Sequence, residues 1–155
     1  MSDGRRPSLI VRIPTPVWLI VLVIGALAAD LVFTLPLLLQ YKPGGIALIV
    51  LGVAVAASGR LTFRRLGAEI FPWSEAHSAL VTAGPFRFTR NPMYLGIIVI
   101  GLGAALVAGT WLMWLVPIVI FALDHFVIIP YEEKSMERAY GDEYFAYKQR
   151  VRRWI

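Results

Sequence analysis

At 155 residues, with 58% hydrophobic and only 16% charged side chains and a mean hydropathy of +0.69, the chain is too apolar for a soluble domain and belongs in a bilayer. It has no cysteine, which excludes disulfides, zinc thiolates, thiol catalysis and prenyl or palmitoyl anchors, and leaves the redox compartment unread. The net charge of +5 does not point to nucleic acid, because the basic residues flank apolar runs and form no base-reading motif.

The first apolar run, 17–39, has the length needed to cross about 30 Å of hydrocarbon, and it continues too far through Pro36 to be a cleaved signal peptide. The second, 44–58, is shorter and rich in Gly, Ala and Val, as expected of a thin span or one packed closely on a neighbour. A polar stretch, 59–91, follows and carries Arg60, Arg64, Arg65, Arg87 and Arg90. Residues 92–108 and 111–129 are two further apolar runs separated only by Gly109 and Thr110, which predicts a tight helical hairpin. The expected fold is an all-α membrane protein of a single domain with about four transmembrane helices and a cytoplasmic tail over 131–155.

Four spans put both termini on one side. Arg5, Arg6, Arg12, the five central arginines and the tail residues Lys134, Arg138, Lys148, Arg150, Arg152 and Arg153 then share a face, leaving Lys42 on the other. The positive-inside rule makes that common face cytoplasmic. For a bacterial protein the inner, or cytoplasmic, membrane is implied. The chain has no inverted halves and too few spans for a transport pathway of its own. In the tail, Met136, Tyr140, Tyr144, Tyr147, Val151 and Trp154 recur at three- and four-residue intervals, predicting an amphipathic helix broken at Gly141-Asp142 and lying along the membrane surface.

The hairpin decides where chemistry is sought. Arms of similar length return Asn91–Tyr94 and Ile129–Glu133 to the same level, so an arginine, an amide, a proline-opened helix start and a phenol face two carboxylates. Carboxylates opposite free helix N–H groups suit a zwitterion such as an amino acid. Each residue also has a plain reading: Arg87 and Arg90 as positive-inside charges, Tyr94 as an interfacial aromatic, Glu132 and Glu133 as a first helical turn favoured by the dipole. Their joint occurrence around one hairpin favours a site. Within the spans, Asp30 and the pair Asp124-His125 are costly in lipid; His125 is a candidate general base, and a structural Asp30–His125 pair between helices is the alternative. Trp18, Trp111 and Trp114 read as belt residues, while Trp73 and His77 have no assignable partner.

The segment Leu80-Val-Thr-Ala-Gly-Pro-Phe-Arg-Phe-Thr-Arg-Asn-Pro-Met-Tyr-Leu-Gly96, with the ending Glu132-Glu-Lys-Ser-Met-Glu-Arg-Ala-Tyr-Gly-Asp-Glu-Tyr-Phe-Ala-Tyr147, resembles the integral-membrane methyltransferases of the isoprenylcysteine carboxyl methyltransferase and phospholipid methyltransferase superfamily. The resemblance covers roughly the C-terminal half. It implies a cytoplasm-facing pocket for S-adenosylmethionine, built from an Arg-His-Pro-x-Tyr-x-Gly motif and a paired glutamate, with a lipid-side opening for an apolar acceptor. By position, Arg90, Pro92, Tyr94 and Gly96 match the first motif and Glu132 and Glu133 the second. Asn91 stands where many members have histidine, which keeps a hydrogen-bonding side chain and removes a titratable one. Tyr144 and Tyr147 match aromatic positions that cover the cofactor, and Leu80 and Val81 are expected along its adenosyl part.

Methyl transfer from a sulfonium requires donor and acceptor to be held in line in a dry pocket and needs no metal. A carboxylate acceptor is already ionised and wants an arginine, for which Arg87 is the candidate; an amine must first lose a proton, for which His125 is the candidate. The resemblance implies carboxyl O-methylation of an isoprenylcysteine-type acceptor or N-methylation of a phospholipid headgroup. A non-catalytic membrane interaction protein is the reading from another class, supported by Asn91.

Overall fold

The structure, a computed structural model, describes residues 9–34, 36–66 and 80–155; Trp73 and His77 lie outside them. A short helix α1 (Leu9–Arg12) leads into α2 (Thr15–Phe33), followed by α3 (Lys42–Arg65), a 3-10 turn (Gly84–Arg87), α4 (Pro92–Ala108) and α5 (Trp111–Leu123). A π-helical turn (Asp124–Ile128) joins α5 to α6 (Ile129–Tyr140), and α7 (Asp142–Arg150) completes the order. The described residues contain no strand, only an isolated antiparallel bridge between Leu37 and Thr110.

Among the described residues, three helical stretches are long and apolar enough to cross a membrane: Thr15–Phe33, Lys42–Arg65 and Trp111–Tyr140; the apolar helix Pro92–Ala108 is shorter, at 17 residues. On α2 and α3 large apolar side chains point outward, among them Ile24, Leu31, Ile46 and Val50, as in a helix whose solvent is lipid. The chain is an all-α membrane protein.

Helix bounds depart from the apolar runs in three places. The first run ends as helix at Phe33, with Thr34 in the left-handed conformation at φ 43°, because Pro36 carries no donor to extend the ladder. Residues 36–40 instead seal the far end of the hairpin: the amides of Leu38 and Leu39 donate to the Gly109 carbonyl at 2.8 and 3.3 Å, and Gln40 Nε2 donates to the carbonyls of Val107 and Ala108. The second run is longer than its apolar part. Helix α3 continues through Arg60, Arg64 and Arg65, since no proline or glycine interrupts the ladder over 60–65; Ser58 and Thr62 turn their hydroxyls back onto the Val55 and Ser58 carbonyls. The fourth run does not stop at Ile129. It continues as α6 to Tyr140, and the π turn, in which the Ile129 amide reaches the Asp124 carbonyl, falls directly before Pro130. A proline ring clashes with the carbonyl four residues back, and a widened turn there relieves the clash. The tail helix breaks at Gly141 (φ 49°), as its sequence predicts.

Among the described residues, helices α3 and α4 make the most extensive contact. Gly45, Gly52 and Gly59 recur every seven residues on α3 and meet Gly96, Gly103 and Met93 of α4. A Cβ on Gly52 would lie 2.6 Å from the Gly96 carbonyl oxygen, and one on Gly103 would lie 2.6 Å from that of Gly45, so the two backbones touch. The small-residue packing expected of the second span is thereby located. Gly109 makes the α4–α5 turn at φ 83°, a conformation that a side chain resists. Behind it α2, α4 and α5 share a core of Leu19, Ile97, Ala105, Met113, Val116 and Ile120.

Substituting Gly52 with Ala is expected to lower the thermal midpoint of the detergent-solubilised protein, with an overpacking cost of about 1–3 kcal/mol. Gly25, whose Cβ would meet nothing within 4 Å, supplies the comparison: Gly25→Ala should leave the midpoint unchanged or raise it. Equal midpoints for the two variants would show that the seam tolerates a methyl group.

Candidate functional site

The seam fixes where α4 begins, and α4 begins with the first motif. Pro92 is fully buried at the opening of the helix, where its missing N–H costs no hydrogen bond. The preceding loop is held from below by Phe86, whose ring meets Phe63 of α3 edge to face at 5.2 Å. The hairpin then returns α6 beside the motif, and two contacts join the arms. Tyr94 Oη donates to Glu132 Oε1 at 2.5 Å, and Arg90 Nη2 donates to Glu133 Oε1 at 2.8 Å. The juxtaposition expected from the hairpin is thus present in the fold.

The two adjacent carboxylates differ in kind. Glu133 is buried between two guanidiniums: besides Arg90, Arg153 donates from Nη2 to Oε2 at 2.6 Å and from Nε to Oε1 at 3.2 Å. Glu132 has no ion pair among the described residues, and its hydrogen-bond partner is the neutral phenol of Tyr94. Successive residues on a helix point about 100° apart, so Glu133 faces the tail while Glu132 faces α4.

Arg90 is tied further into the tail, donating through Nη1 to the carbonyls of Lys148 and Val151 at 3.2 and 3.1 Å. Its own amide donates to the Arg152 carbonyl at 3.0 Å. Asn91 Nδ2 donates to the Arg153 carbonyl at 3.0 Å, an acceptor it shares with the Thr89 hydroxyl at 3.1 Å. Asn91 therefore fastens the segment 151–154 to the loop that opens α4.

Tyr144 and Tyr147 are buried on the inner face of α7. Burial, then the charge of Glu133, holds the Tyr144 phenol well above its ordinary pKa against the pull of Arg90, and its hydroxyl makes no hydrogen bond among the described residues. Tyr147 is pushed up to about 12 by burial, again against Arg90, and donates to the Phe86 carbonyl at 2.7 Å. Tyr144 is thus the tyrosine with a hydroxyl to offer, while Tyr147 locks the tail to the 3-10 turn. Val81 is buried and Leu80 half-buried ahead of that turn. Gly96 has its Cα against Gly52 and Ala56 of α3, where it serves helix packing.

The two candidate catalytic residues fare differently from one another. Arg87 is exposed at the end of the 3-10 turn, with no ion pair or hydrogen bond among the described residues. His125 lies in the π turn, stacked on Phe121 at 5.4 Å, and its Nδ1 accepts a hydrogen bond from Trp154 Nε1 at 3.0 Å. A neutral imidazole has one lone pair, and the indole N–H occupies it. Asp30 pairs with Thr110 at the far end of the hairpin at 2.5 Å, so the Asp30–His125 pair is not formed. Asp124, fully buried, accepts from the Thr15 hydroxyl at 2.9 Å with Oδ1 and leaves Oδ2 without a partner. Arg153, Thr89 and the Thr15–Asp124 pair were not singled out by the sequence; Arg153 sits among basic residues that topology already explains. No group of His, Asp or Glu among the described residues could hold a metal ion.

The apolar helical hairpin thus carries two polar motifs at one end, joined through Arg90, Glu133 and Arg153, and comparison with known proteins gives the class. Residues 42–143 match the family model described as phospholipid methyltransferase, so the chain belongs to that family. It is similar to an uncharacterized protein of Haemophilus influenzae, 41% identical over 63 residues, which is 41% of this chain and 100% of that protein. It is also 30% identical over 114 residues to protein-S-isoprenylcysteine O-methyltransferase B of Arabidopsis thaliana, covering 69% of this chain and 55% of the plant protein. The chain spans about half the length of that relative. Its family makes it a membrane enzyme of methyl transfer.

Arg90→Ala should destabilise the protein by about 3 kcal/mol, because it removes one of two guanidiniums from a buried carboxylate and frees two tail carbonyls. Glu132→Gln, which keeps a hydrogen-bond acceptor for Tyr94, should leave the unfolding midpoint near native. Thermal unfolding in one detergent compares them; a Glu132→Gln loss as large as that of Arg90→Ala would contradict the assigned difference between the glutamates.

Proposed function

We propose that the chain transfers the methyl group of S-adenosylmethionine to an apolar or amphipathic acceptor that reaches the site from the bilayer, and that the acceptor group is a carboxylate of isoprenylcysteine type. The observation that carries the reading is the difference between the two glutamates. Glu133 is neutralised within the protein, whereas Glu132, bonded to Tyr94 at the junction of both motifs, has no cation beside it among the described residues and is left for a ligand cation. The cofactor brings an ammonium and a sulfonium to satisfy it. Its carboxylate suits the opening turn of α4, and Leu80, Val81, Tyr144 and Tyr147 are available to its adenosyl part. Arg90, Asn91, Pro92 and Gly96 shape the site from behind.

S-adenosylmethionine supplies an electrophilic methyl group, so the protein has to align it, exclude water and present the acceptor. The acceptor class follows from proton accounting. An amine must lose a proton before attack, and the imidazole expected to take it has its lone pair bonded to Trp154. A carboxylate needs no base. It needs a cation, and Arg87 is exposed and uncommitted among the described residues at the cytoplasmic edge. The 30% identity to the plant isoprenylcysteine O-methyltransferase supports this reading. The family description supports a second, N-methylation of a phospholipid headgroup. Four spans with both termini cytoplasmic agree with the arginines at the motif end of α3 and α4 and Lys42 at the other, as in an inner or cytoplasmic membrane if the source is bacterial.

Calorimetric titration with S-adenosylhomocysteine tests the donor. The native chain should bind, and Glu132→Gln should weaken binding about tenfold, the worth of one charged hydrogen bond, while remaining folded. Absence of binding by folded native protein would favour a membrane interaction protein. With radiolabelled donor and extracted lipid, label released by mild base identifies a methyl ester; label that survives base identifies the methylated amine.

A further inference from the structure

The C-terminal segment Val151–Trp154 has no regular structure, yet it bonds to the loop that opens α4, to the π turn and to Glu133 of α6. Arg153 is its centre. The guanidinium grips both oxygens of Glu133 on α6, through Nη2 at 2.6 Å and Nε at 3.2 Å, and Nη1 reaches the His125 carbonyl in the π turn at 3.4 Å. Its main-chain carbonyl accepts from Thr89 and Asn91 in the loop that opens α4. One residue thus bonds to both arms of the hairpin, one through its side chain and the other through its backbone.

We propose that Arg153 is a positioning residue for the methyl-donor site, acting through Glu133 to set the rotation of α6 that presents Glu132 to Tyr94. The inference rests on the methyltransferase reading above and goes beyond it, because Arg153 belongs to neither motif. Two features separate this role from general cohesion. Arg90 alone already neutralises the Glu133 charge, so a second guanidinium is not required for charge balance. A side-on, two-point contact on a planar carboxylate also fixes its orientation, which a single contact does not. Glu132 is the next residue on the same helical turn, so an angular shift of Glu133 shifts Glu132 relative to Tyr94.

The experiment compares S-adenosylhomocysteine affinity with thermal stability for full-length native protein, Arg153→Ala, Arg153→Lys and Thr110→Val. The last removes the hydrogen bond to Asp30 at the opposite end of the hairpin and so measures what destabilisation alone does to binding. Arg153→Ala should raise the dissociation constant about tenfold, since it loses charged hydrogen bonds. Arg153→Lys keeps the charge without the two-point contact and should recover only part of the affinity. Thr110→Val should lower the unfolding midpoint and leave the dissociation constant near native. Native affinity in Arg153→Ala, or an equal loss in Thr110→Val at the same midpoint shift, would overturn the proposal. Should Arg153→Ala not fold, the Lys variant decides, and full native affinity in it would overturn the role. No binding by folded native protein would instead remove the donor reading, a result distinct from native-like binding by the variants.

Discussion

The contact of two bare backbones along α3 and α4 is the constraint on which the rest of the molecule depends. Lipid supplies no hydrophobic force between helices, so they associate through close packing, and a seam of glycines gives the closest approach available. Its seven-residue spacing, two turns, keeps Gly45, Gly52 and Gly59 on one face of α3, against Gly96 and Gly103 of α4. With that pair fixed, the start of α4 stands over the end of α3, and Phe63 supports the 3-10 turn through Phe86. The polar motif is therefore carried on the stiffest part of an otherwise lipid-facing bundle.

Charge organises what the seam positions. Buried ions are tolerated when paired and hydrogen-bonded, and the cluster of Arg90, Glu133 and Arg153 is paired through contacts from the loop, α6 and the C-terminal segment, with Arg90 Nε alone of its buried atoms left without a partner among the described residues. Beside it Glu132 is left to a phenol. In the proposed function, this asymmetry between neighbours in sequence gives the doublet two jobs, one of holding the fold and one of meeting a ligand.

Much of this was legible in the sequence because membrane helices announce themselves by length and composition, and a hairpin of equal arms dictates that its ends meet. The meeting of 91–94 with 129–133 follows from that geometry, while the pairing of Tyr94 with Glu132 and of Arg90 with Glu133 comes from the structure. The tail break at Gly141 was equally visible. Helix ends were harder. Arg60, Arg64 and Arg65 look like loop because they are charged, yet α3 continues while its hydroxyl side chains remain satisfied internally. Residues 36–39 look like span because they are apolar, yet Pro36 diverts them into the sealing segment. Arg153 was hidden by its neighbours, and the bond between His125 and Trp154 joins residues 29 positions apart in a segment without periodicity. Gly96 fits the family motif by position, but only coordinates reveal that it faces α3.

The length of α4 has a consequence for the membrane itself. Its 17 residues rise about 25 Å at 1.5 Å per residue, short of a hydrocarbon layer about 30 Å thick. Thinning of the bilayer around the hairpin is one way to match such a helix. Such a depression draws lipid headgroups inward beside Tyr94 and Glu132. In the proposed function, an amphipathic acceptor would then need less withdrawal of its tail from the oily layer to bring its polar end to the site, and hydrophobic mismatch would serve delivery.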